Sequence, residues 1–567
     1  MDTDTSAASD HAAAFDIAVT YAGSADAGPI DGRLLVLVAP DDGTLEEPRF
    51  RTKPGVSAIQ LFGLDVDGLR PGDLARVAQG GATGYPLARL AELPPGDYVV
   101  QAVLHRYETF HLASGHVVKL PMDRGEGQQW NRAPGNLYCV PRKVRLDPRA
   151  SSRLDLVLTE VIPPVDLPRD TRFVRHVRVE SALLSRFWGR PMHLGAHVLV
   201  PDGFDDHPEA RYPLVLMQGH FPSDFGGFRE EPPDDDAPPV RSVRFGVDAY
   251  NRVEEGEAHD TFRWWTAADT PRVLIVEIQH PTPYYDDSYA VDSECMGPYG
   301  EAIHTELLPE IERRFRAIGE GWARFLYGGS TGGWSALATQ VFYPDHWNGA
   351  WCACPDPVDF RAYCLVNLYD DANAHVTAGP FRAVERPGKR DGLGHVDATM
   401  ADLSRYEAAL GSRGRSGEQL DAWQAVYSPR GDDGYPRPIW DKETGVIDHE
   451  VAASWRENYD LRHILERDWA TLGPKLRGKL HVYVGTMDNF YLDGAVRLLE
   501  RFLASTTDPP YEGEVDYGCG CEHCWNGDHD NPIHISRLRY HRQFLPRIVA
   551  RLAASAPEGA DLTSWRY

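Results

Sequence analysis

Hydrophobic and polar residues follow two different patterns along the chain. Up to about residue 158, short apolar runs such as FDIAVTY, RLLVLVAP and DYVVQAVLH are separated by turns rich in Gly, Pro and Asp. Runs of this length, bounded by turn residues and without a helical period, predict strands. Residues 15–165 are therefore predicted to form an all-β sandwich domain. A polar, acidic stretch over residues 1–14 is predicted to be a flexible tail.

Strands alternate with helices in the second part of the chain. The near-continuous apolar runs at 212–217 and 272–278 are typical of strands covered on both faces. Residues 299–315 carry apolar side chains at helical spacing. This alternation predicts an α/β fold with a mostly parallel, doubly wound sheet.

The second domain is predicted to be interrupted by an insertion. Residues 356–476 are polar, dotted with Trp and Tyr, and too long for a simple connection between a strand and a helix. We therefore expect a catalytic domain over 170–355 and 477–567, with a cap or lid over 356–476.

Charge excludes some classes of partner. The 567 residues include 84 acidic and 58 basic residues, for a net charge of -26. This charge argues against binding nucleic acids or anionic membranes. No apolar run approaches the roughly 20 residues needed to span a bilayer. The first residues lack the basic and apolar regions of a signal peptide, so a cytoplasmic protein is expected, and a secreted mature form is left open.

The sequence Gly328-Gly329-Ser330-Thr331-Gly332 follows a predicted strand and begins a predicted helix. It fits G-x-S-x-G, the nucleophile elbow, in which small residues let the strand and helix approach while a strained turn exposes the serine. The alternative is a phosphate-binding turn, but the Lys-Ser/Thr of a P-loop is absent. Ser330 is therefore predicted to be a nucleophile.

A nucleophilic serine needs a base that is oriented by an acid, in the chain order Ser, acid, His. Asp488 follows the predicted strand HVYV and is the predicted acid, with Asp493 as the second choice. His529 lies in a turn ahead of the last predicted helix and is the predicted base. His523 and His534 are the alternatives.

An oxyanion hole and an aromatic pocket are predicted beside Ser330. The backbone N–H of Thr331 and an N–H of the loop Gly219-His220-Phe221 would stabilise the oxyanion. Trp334, Tyr284 and Trp525 are placed near the catalytic edge of the sheet and are predicted to line the pocket, although ordinary packing would explain them equally well.

YPLVLMQGH, YGEAIHTELLPEIERRFR and FLYGGSTGGWSAL together resemble the putative-esterase group of α/β-hydrolases. That group includes esterase D, feruloyl esterases and enterochelin esterases. The resemblance covers roughly 175–350 well and 478–550 loosely, and a β-sandwich ahead of the catalytic domain resembles enterochelin esterases. It implies Ser330, Asp488 and His529 as a triad that hydrolyses carboxylic esters through an acyl-enzyme.

Three cysteines and a histidine lie within six residues, at Cys519, Cys521, His523 and Cys524. A structural zinc or other metal bound by these four residues is one interpretation, because C-x-x-C spacing suits it. A disulfide that tethers this loop and a set of reduced thiols are the two alternatives.

The sequence as a whole predicts a serine esterase that acts on a small-molecule ester and requires no cofactor for catalysis. A peptidase or amidase, or an acyltransferase, would use the same triad. A non-catalytic binding protein on a hydrolase scaffold is the alternative from another class.

Overall fold

A computed structural model describes residues 15–78, 81–150, 153–220, 222–234, 236–242, 247–531 and 536–567. The tail predicted at 1–14 lies outside these residues. The chain divides into two compact units: the first takes in the described chain up to Thr109, Lys119–Val165 and Asp402–Asp421, and the second takes in Phe110–Val118, Asp166–Ala401 and Ala422–Tyr567. Residues 402–421, which the sequence placed in the insertion, thus group with the N-terminal unit.

The N-terminal part of the chain forms twelve strands within the described residues. They are β1 (Asp16–Tyr21), β2 (Ile30–Pro40), β3 (Gln60–Leu69), β4 (Ala75–Arg76), β5 (Thr83–Tyr85), β6 (Gly96–Arg106), β7 (Glu108–His111), β8 (Val117–Leu120), β9 (Leu137–Tyr138), β10 (Arg142–Leu146), β11 (Arg153–Leu158) and β12 (Glu160–Val161). One sheet has the order β11-β1-β4, and a larger sheet runs β12-β9-β6-β2-β3-β5 with β10 paired to β6.

The two sheets share one hydrophobic core. Ile17 and Leu156 from the small sheet and Leu34, Val36 and Leu104 from the large sheet are at most 1% exposed and belong to the same buried cluster. Alternating side chains of each strand supply this core, as expected when two sheets pack face to face. The predicted β-sandwich is confirmed.

The second unit contains a central eight-stranded sheet and three small hairpins. The sheet consists of β13 (Val174–Ser181), β14 (Met192–Leu199), β15 (Leu214–Gln218), β16 (Leu274–Gln279), β19 (Arg324–Gly329), β20 (Ala350–Ala353), β25 (Leu480–Gly485) and β26 (Glu514–Gly518). The hairpins are β17 (Asp292–Ser293) with β18 (Gly297–Pro298), β21 (Val376–Ala378) with β22 (Ala383–Glu385), and β23 (Pro387–Arg390) with β24 (Val396–Thr399).

The central sheet has the order β13-β14-β16-β15-β19-β20-β25-β26. Strands β16 to β26 in this order are all parallel, whereas β13 and β14 are antiparallel to their neighbours. Four of the five residues of β15 and all four of β20 are buried. This burial explains the near-continuous apolar runs, since both faces of a parallel sheet are covered by helices.

Eleven α-helices are described. They are α1 (Ala182–Trp188), α2 (Tyr250–Trp265), α3 (Tyr299–Ala302), α4 (Leu308–Phe315), α5 (Thr331–Phe342), α6 (Met400–Leu410), α7 (Gln419–Tyr427), α8 (His449–Asn458), α9 (Leu461–Leu476), α10 (Asp493–Ser505) and α11 (Tyr540–Ser555). A π-helical turn, Ile303–Leu307, joins α3 to α4, so the predicted helix at 299–315 is one continuous helical segment. None of the described helices combines the length and apolar character needed to cross a membrane.

The parallel strands end at one common edge of the sheet. Gln218, Gly329, Ala353 and Gly485 are the last residues of β15, β19, β20 and β25. In open α/β sheets, ligands bind outside this carboxyl edge. The predicted fold class, an α/β-hydrolase sheet with an N-terminal sandwich, is confirmed, and the residues that follow these four strand ends meet at a single site.

Candidate active site

Ser330 occupies a strained turn between β19 and α5. Its backbone has φ 59° and ψ -123°, and its N–H donates to the carbonyl of Ala353 at 3.0 Å. A Cβ on Gly328 or Gly332 would overlap neighbouring backbone atoms, so both positions require glycine. A non-glycine residue at positive φ costs free energy that the surrounding packing must offset, and such strain is typical of functional sites. The geometry therefore agrees with the predicted elbow.

His523 and Asp488 line up with the Ser330 hydroxyl. The Ser330 Oγ lies 2.8 Å from His523 Nε2, and His523 Nδ1 lies 2.7 Å from Asp488 Oδ2. The backbone N–H groups of Phe490 and Leu492 donate to the other Asp488 oxygen at 2.9 and 3.3 Å. These donors, together with full burial, hold the carboxylate in one orientation. The carboxylate then fixes the imidazole with Nδ1–H donating and Nε2 free to accept a proton.

The structure does not bring His529 to Ser330. The His529 side chain is 61% exposed, and its Nε2 pairs with Asp516 Oδ2 at 2.8 Å. The sequence prediction of the base is therefore corrected to His523, which was weighed only as an alternative base and as a metal ligand. His534, the other alternative, lies outside the described residues.

The loop after β26 explains why His523, and not His529, reaches the serine. The loop folds back over the end of β25, where the Met487 N–H donates to the Cys521 carbonyl at 2.9 Å. The His523 N–H donates to Asn489 Oδ1 at 3.1 Å, directly beside Asp488. The ring edge of Phe490 contacts the imidazole with centroids 5.1 Å apart. These contacts place position 523 above the nucleophile and carry the chain away again before residue 529.

The surroundings of His523 favour its protonated form. Burial alone lowers the pKa of an imidazole, but the neighbouring Cys524 and the Asp488 carboxylate outweigh that effect and raise the pKa of His523 from 6.5 to about 10. A base with a raised pKa accepts the serine proton readily once it is neutral. The imidazolium that results is stabilised by the same carboxylate.

A second buried carboxylate, missed at the sequence level, contacts the elbow. Asp356 follows β20 and is 2% exposed, and its Oδ1 lies 3.5 Å from the Ser330 Oγ. Its Oδ2 accepts from Tyr289, Trp423 and Thr331 at 2.8, 3.0 and 3.2 Å. Asp356 comes three residues after the end of β20, as Asp488 comes three residues after the end of β25, so its position after a strand is the signal by which it could have been found.

The predicted oxyanion loop follows β15 at the same edge. Gly219 has open space around its Cα, and His220 Nδ1 lies 3.2 Å from Asp287 Oδ2 and 3.4 Å from Asp286 Oδ1. Phe221 lies outside the described residues. Thr331 is the first residue of α5, so its N–H lies at the positive end of the helix dipole.

The three aromatic residues predicted to line a pocket are all buried. Trp334, Tyr284 and Trp525 are at most 1% exposed. The ring of Trp334 packs against Tyr289 and Tyr427, with centroids 5.6 and 5.1 Å apart. Trp525 donates its Nε1–H to the Asp528 carbonyl at 2.9 Å. Their surroundings are those of core residues, which was the alternative interpretation.

The cysteines group differently from the predicted metal set. All eight are free thiols in the structure. Among the described residues, Cys354, His523 and Cys524 offer ligand atoms within 4.8 Å of one another. Cys519 is exposed and Cys521 half-buried, and neither belongs to this group. Cys354 was not among the four metal ligands predicted from the sequence. It lies just after β20, and its Sγ accepts the Cys524 N–H at 3.1 Å.

One family model matches part of this chain. Residues 259–467 match the family model described as Putative esterase, a segment that contains Ser330 and Asp356 and ends before Asp488. No curated protein sequence matched the chain. 

Three solved structures are similar to this chain at low identity. A ferulic acid esterase is 14% identical, with 67% of this chain and 98% of that chain covered and a TM-score of 0.34. An S-formylglutathione hydrolase from Agrobacterium tumefaciens is 14% identical, with 68% and 98% covered and a TM-score of 0.31. A putative dipeptidyl aminopeptidase IV from Bacteroides ovatus is 9% identical, with 88% and 56% covered and a TM-score of 0.34. The family match over 259–467 by itself confirms the resemblance of this part of the chain to the putative esterases.

Proposed function

We propose that the chain is a serine esterase in which Ser330, His523 and Asp488 form the catalytic triad. The observation that carries the proposal is the unbroken line of contacts from Asp488 through His523 to the Ser330 Oγ, at 2.7 and 2.8 Å. The family match over 259–467 supports a hydrolase that acts on esters.

The proposed reaction proceeds through an acyl-enzyme. His523 Nε2 takes the Ser330 proton as the Oγ attacks the ester carbonyl, and the imidazolium then protonates the departing alcohol. A water molecule, activated by the same nitrogen, hydrolyses the acyl group from Ser330. Asp488 keeps the imidazole in the required tautomer and stabilises its positive charge.

The tetrahedral intermediates need donors for their oxyanion. The N–H of Thr331 is the first proposed donor, because Thr331 directly follows the nucleophile and lies at the positive end of the α5 dipole. The second is an N–H of the loop that follows β15, at Gly219, His220 or Phe221. Loss of one such donor typically costs about 10²–10³ in rate.

Covalent labelling tests the proposal. A fluorophosphonate should label the wild-type protein at one site and fail to label Ser330→Ala. Ser505→Ala is the matched control, because Ser505 is exposed at the end of α10, where its hydroxyl donates to the Phe502 carbonyl. A folded wild-type protein that never labels would support the non-catalytic binding protein instead. Hydrolysis of anilides at rates similar to those of the matched esters would favour a peptidase or amidase.

A further inference from the structure

Asp356 presents an unusual combination of charge, burial and position. A carboxylate that is 2% exposed normally has every lone pair engaged by donors or a cation, because an unpaired buried charge is costly. Asp356 lies at the carboxyl end of β20, and Asp488, after β25, already serves as the acid that orients His523. The reaction proposed above therefore leaves Asp356 without a role.

One of its two oxygens is fully engaged. The Tyr289 hydroxyl, the Trp423 indole N–H and the Thr331 hydroxyl all converge on Oδ2, at 2.8, 3.0 and 3.2 Å. Three donors on one carboxylate oxygen stabilise the ionised form and fix the plane of the group. Burial works in the opposite direction and outweighs these donors, so the pKa of Asp356 lies above its usual 3.8 and the donors compensate its charge only in part.

The other oxygen faces the nucleophile. Among the described residues, the donor found for Oδ1 is the Ser330 hydroxyl, at 3.5 Å. The same hydroxyl lies 2.8 Å from His523 Nε2, and it has only one proton to donate. In the reactive arrangement that proton goes to His523, so Oδ1 is left beside the nucleophile without a donor from the described residues. A buried, ionised oxygen in this state requires a donor from the bound molecule.

We propose that Asp356 binds a protonated amine of the substrate, so that the chain prefers esters with an ammonium group near the scissile carbonyl over neutral esters of the same shape. The inference rests on the proposed esterase function. An ammonium group supplies both the missing donor and the compensating charge, which a hydroxyl would supply only in part. Because Oδ1 is 3.5 Å from the Ser330 Oγ, the amine must lie within a few bonds of the carbonyl that Ser330 attacks.

The chain as a whole favours the same class of substrate. Its net charge of -26 attracts cations and repels anions over the range of the protein's field. That field acts on the encounter rate and weakens with salt, whereas the contact with Asp356 acts at the site itself. The two effects are therefore separable by ionic strength.

Matched ester pairs at pH 7 and 0.5 M NaCl test the proposal. Alanine methyl ester against methyl 2-methylpropionate places the amine on the acyl side, and 2-(dimethylamino)ethyl propionate against 3-methylbutyl propionate places it on the alcohol side. We expect the wild-type kcat/KM for the amine-bearing ester of one pair to exceed that of its partner by about 10- to 100-fold, the range of a charge-assisted hydrogen bond. Which pair shows the preference identifies the side that faces Asp356.

The variant Asp356→Asn keeps the size of the side chain and removes its charge. The preference within the responsive pair should fall by about 10- to 100-fold from its wild-type value in Asp356→Asn, to the ratio set by the intrinsic reactivity of the two esters. Asp345→Asn, at a surface ion pair with Lys475, is the control and should keep the preference. In the wild type, the preference should also decline as pH rises past the pKa of the substrate amine, a measurement that needs no variant.

The outcomes are distinguishable from a failure of the esterase proposal. No preference in either pair, or a preference that persists in a folded Asp356→Asn, overturns the role of Asp356. If fluorophosphonate labels Ser330 in the same preparation, the esterase proposal survives that result. A protein that neither labels nor hydrolyses any of the four esters overturns both.

Discussion

At the scale of single residues, the contacts of Ser330 distinguish His523, which lies beside its hydroxyl, from His529, only six positions further along the chain. We expect His523→Ala to lower kcat by about 10⁴-fold or more, because the loss removes both the base and the proton donor for the leaving group. His529→Ala is the matched control, since its exposed side chain pairs with Asp516 and should leave ester hydrolysis within about twofold of wild type. Steady-state kinetics with one ester measures both. Comparable losses in the two variants would contradict the assignment.

The pH dependence of the reaction follows from the environment of His523. Only the neutral imidazole accepts the Ser330 proton, and the pKa of His523 is raised from 6.5 to about 10 by Cys524 and Asp488 against the opposing effect of burial. The neutral fraction therefore increases with pH, and we expect kcat/KM to rise from pH 6 towards the alkaline side, with a midpoint above 6.5.

The variant Asp488→Asn measures how much Asp488 contributes to this pH profile. Asp488→Asn removes the charge that stabilises the imidazolium, so the midpoint of the remaining activity should move to lower pH while kcat falls. A profile measured with a neutral ester avoids titration of the substrate. A midpoint at or below 6.5 in the wild type would contradict the proposed environment of the base.

The sequence allowed prediction of Ser330 and Asp488 but not of the base, for a physical reason. Glycine spacing around a serine, and an acid after a strand, are local patterns that backbone sterics dictate. The position of the base depends on how the loop after β26 folds back, and that depends on contacts with Asn489 and Met487, which lie more than thirty residues away. No local pattern distinguishes His523 from His529, because both follow turn residues in the same loop.

At the scale of elements, the junction of β19, α5 and the end of β15 determines the elbow. A Cβ on Gly332 would overlap the carbonyl of Gln218, which is fixed by its place in the sheet. We expect Gly332→Ala to destabilise the protein by about 3 kcal/mol and to lower activity by moving the loop that follows β15. Gly219→Ala is the control for stability, because a Cβ there meets no atom within 4 Å. Thermal unfolding followed by calorimetry measures both variants, and equal melting temperatures would contradict the packing.

We expect zinc to bind between the end of β20 and the loop that carries His523, at the expense of catalysis. Cys354, His523 and Cys524 offer two sulfurs and a nitrogen within 4.8 Å, a set that suits Zn²⁺. A zinc ion here would withdraw His523 from Ser330, so we expect added Zn²⁺ to inhibit ester hydrolysis and EDTA to restore it. Cys354→Ser should weaken the inhibition.

The exposed Cys519 provides the control for this experiment. Cys519 lies outside the group formed by Cys354, His523 and Cys524, so Cys519→Ser should leave the inhibition unchanged. The opposite result, with sensitivity lost in Cys519→Ser and kept in Cys354→Ser, would instead favour the four-residue metal set that the sequence predicted. Elemental analysis of protein purified without chelator gives the metal content directly.

At the scale of the whole molecule, the hydropathy pattern predicted a β-sandwich followed by a parallel α/β sheet. It did not predict which distant segments of the chain belong to the same unit. The alternation of strands and helices is enough to predict a parallel sheet, since each strand is buried on both faces. Residues 402–421 have no such signal, yet they group with the N-terminal unit. Within that unit, the Tyr85 hydroxyl donates to Asp402 at 3.2 Å, and Arg415 pairs with Asp65 at 2.9 Å. Polar contacts between residues more than 300 positions apart leave no periodic trace in a sequence.

Stability of the fold should depend on pH through a carboxyl group in the central sheet. Glu277 on β16 is 5% exposed, and burial, opposed by the N–H of Gly226 and reinforced by the charge of Asp224, raises its pKa from 4.5 to about 8. The folded protein therefore holds a proton that the unfolded chain releases between these values. The stabilisation is fully present below pH 4.5 and is lost as pH rises towards 8, with a total change of up to about 5 kcal/mol.

The variant Glu277→Gln isolates this contribution from all other titrating groups. Glutamine keeps the shape and the acceptor for the Gly226 N–H, at 3.1 Å in the wild type, but never ionises. We expect urea unfolding to show that Glu277→Gln is more stable than wild type at pH 8, with the difference shrinking as the pH approaches 4.5. Glu466→Gln, at an exposed pair with Arg462 on α9, should show no such trend. If the free energies of unfolding of Glu277→Gln and the wild type changed with pH in parallel, the carboxyl of Glu277 would ionise as readily in the folded sheet as in water. Burial in the central sheet makes that ionisation unfavourable, so we expect the two curves to diverge as pH rises.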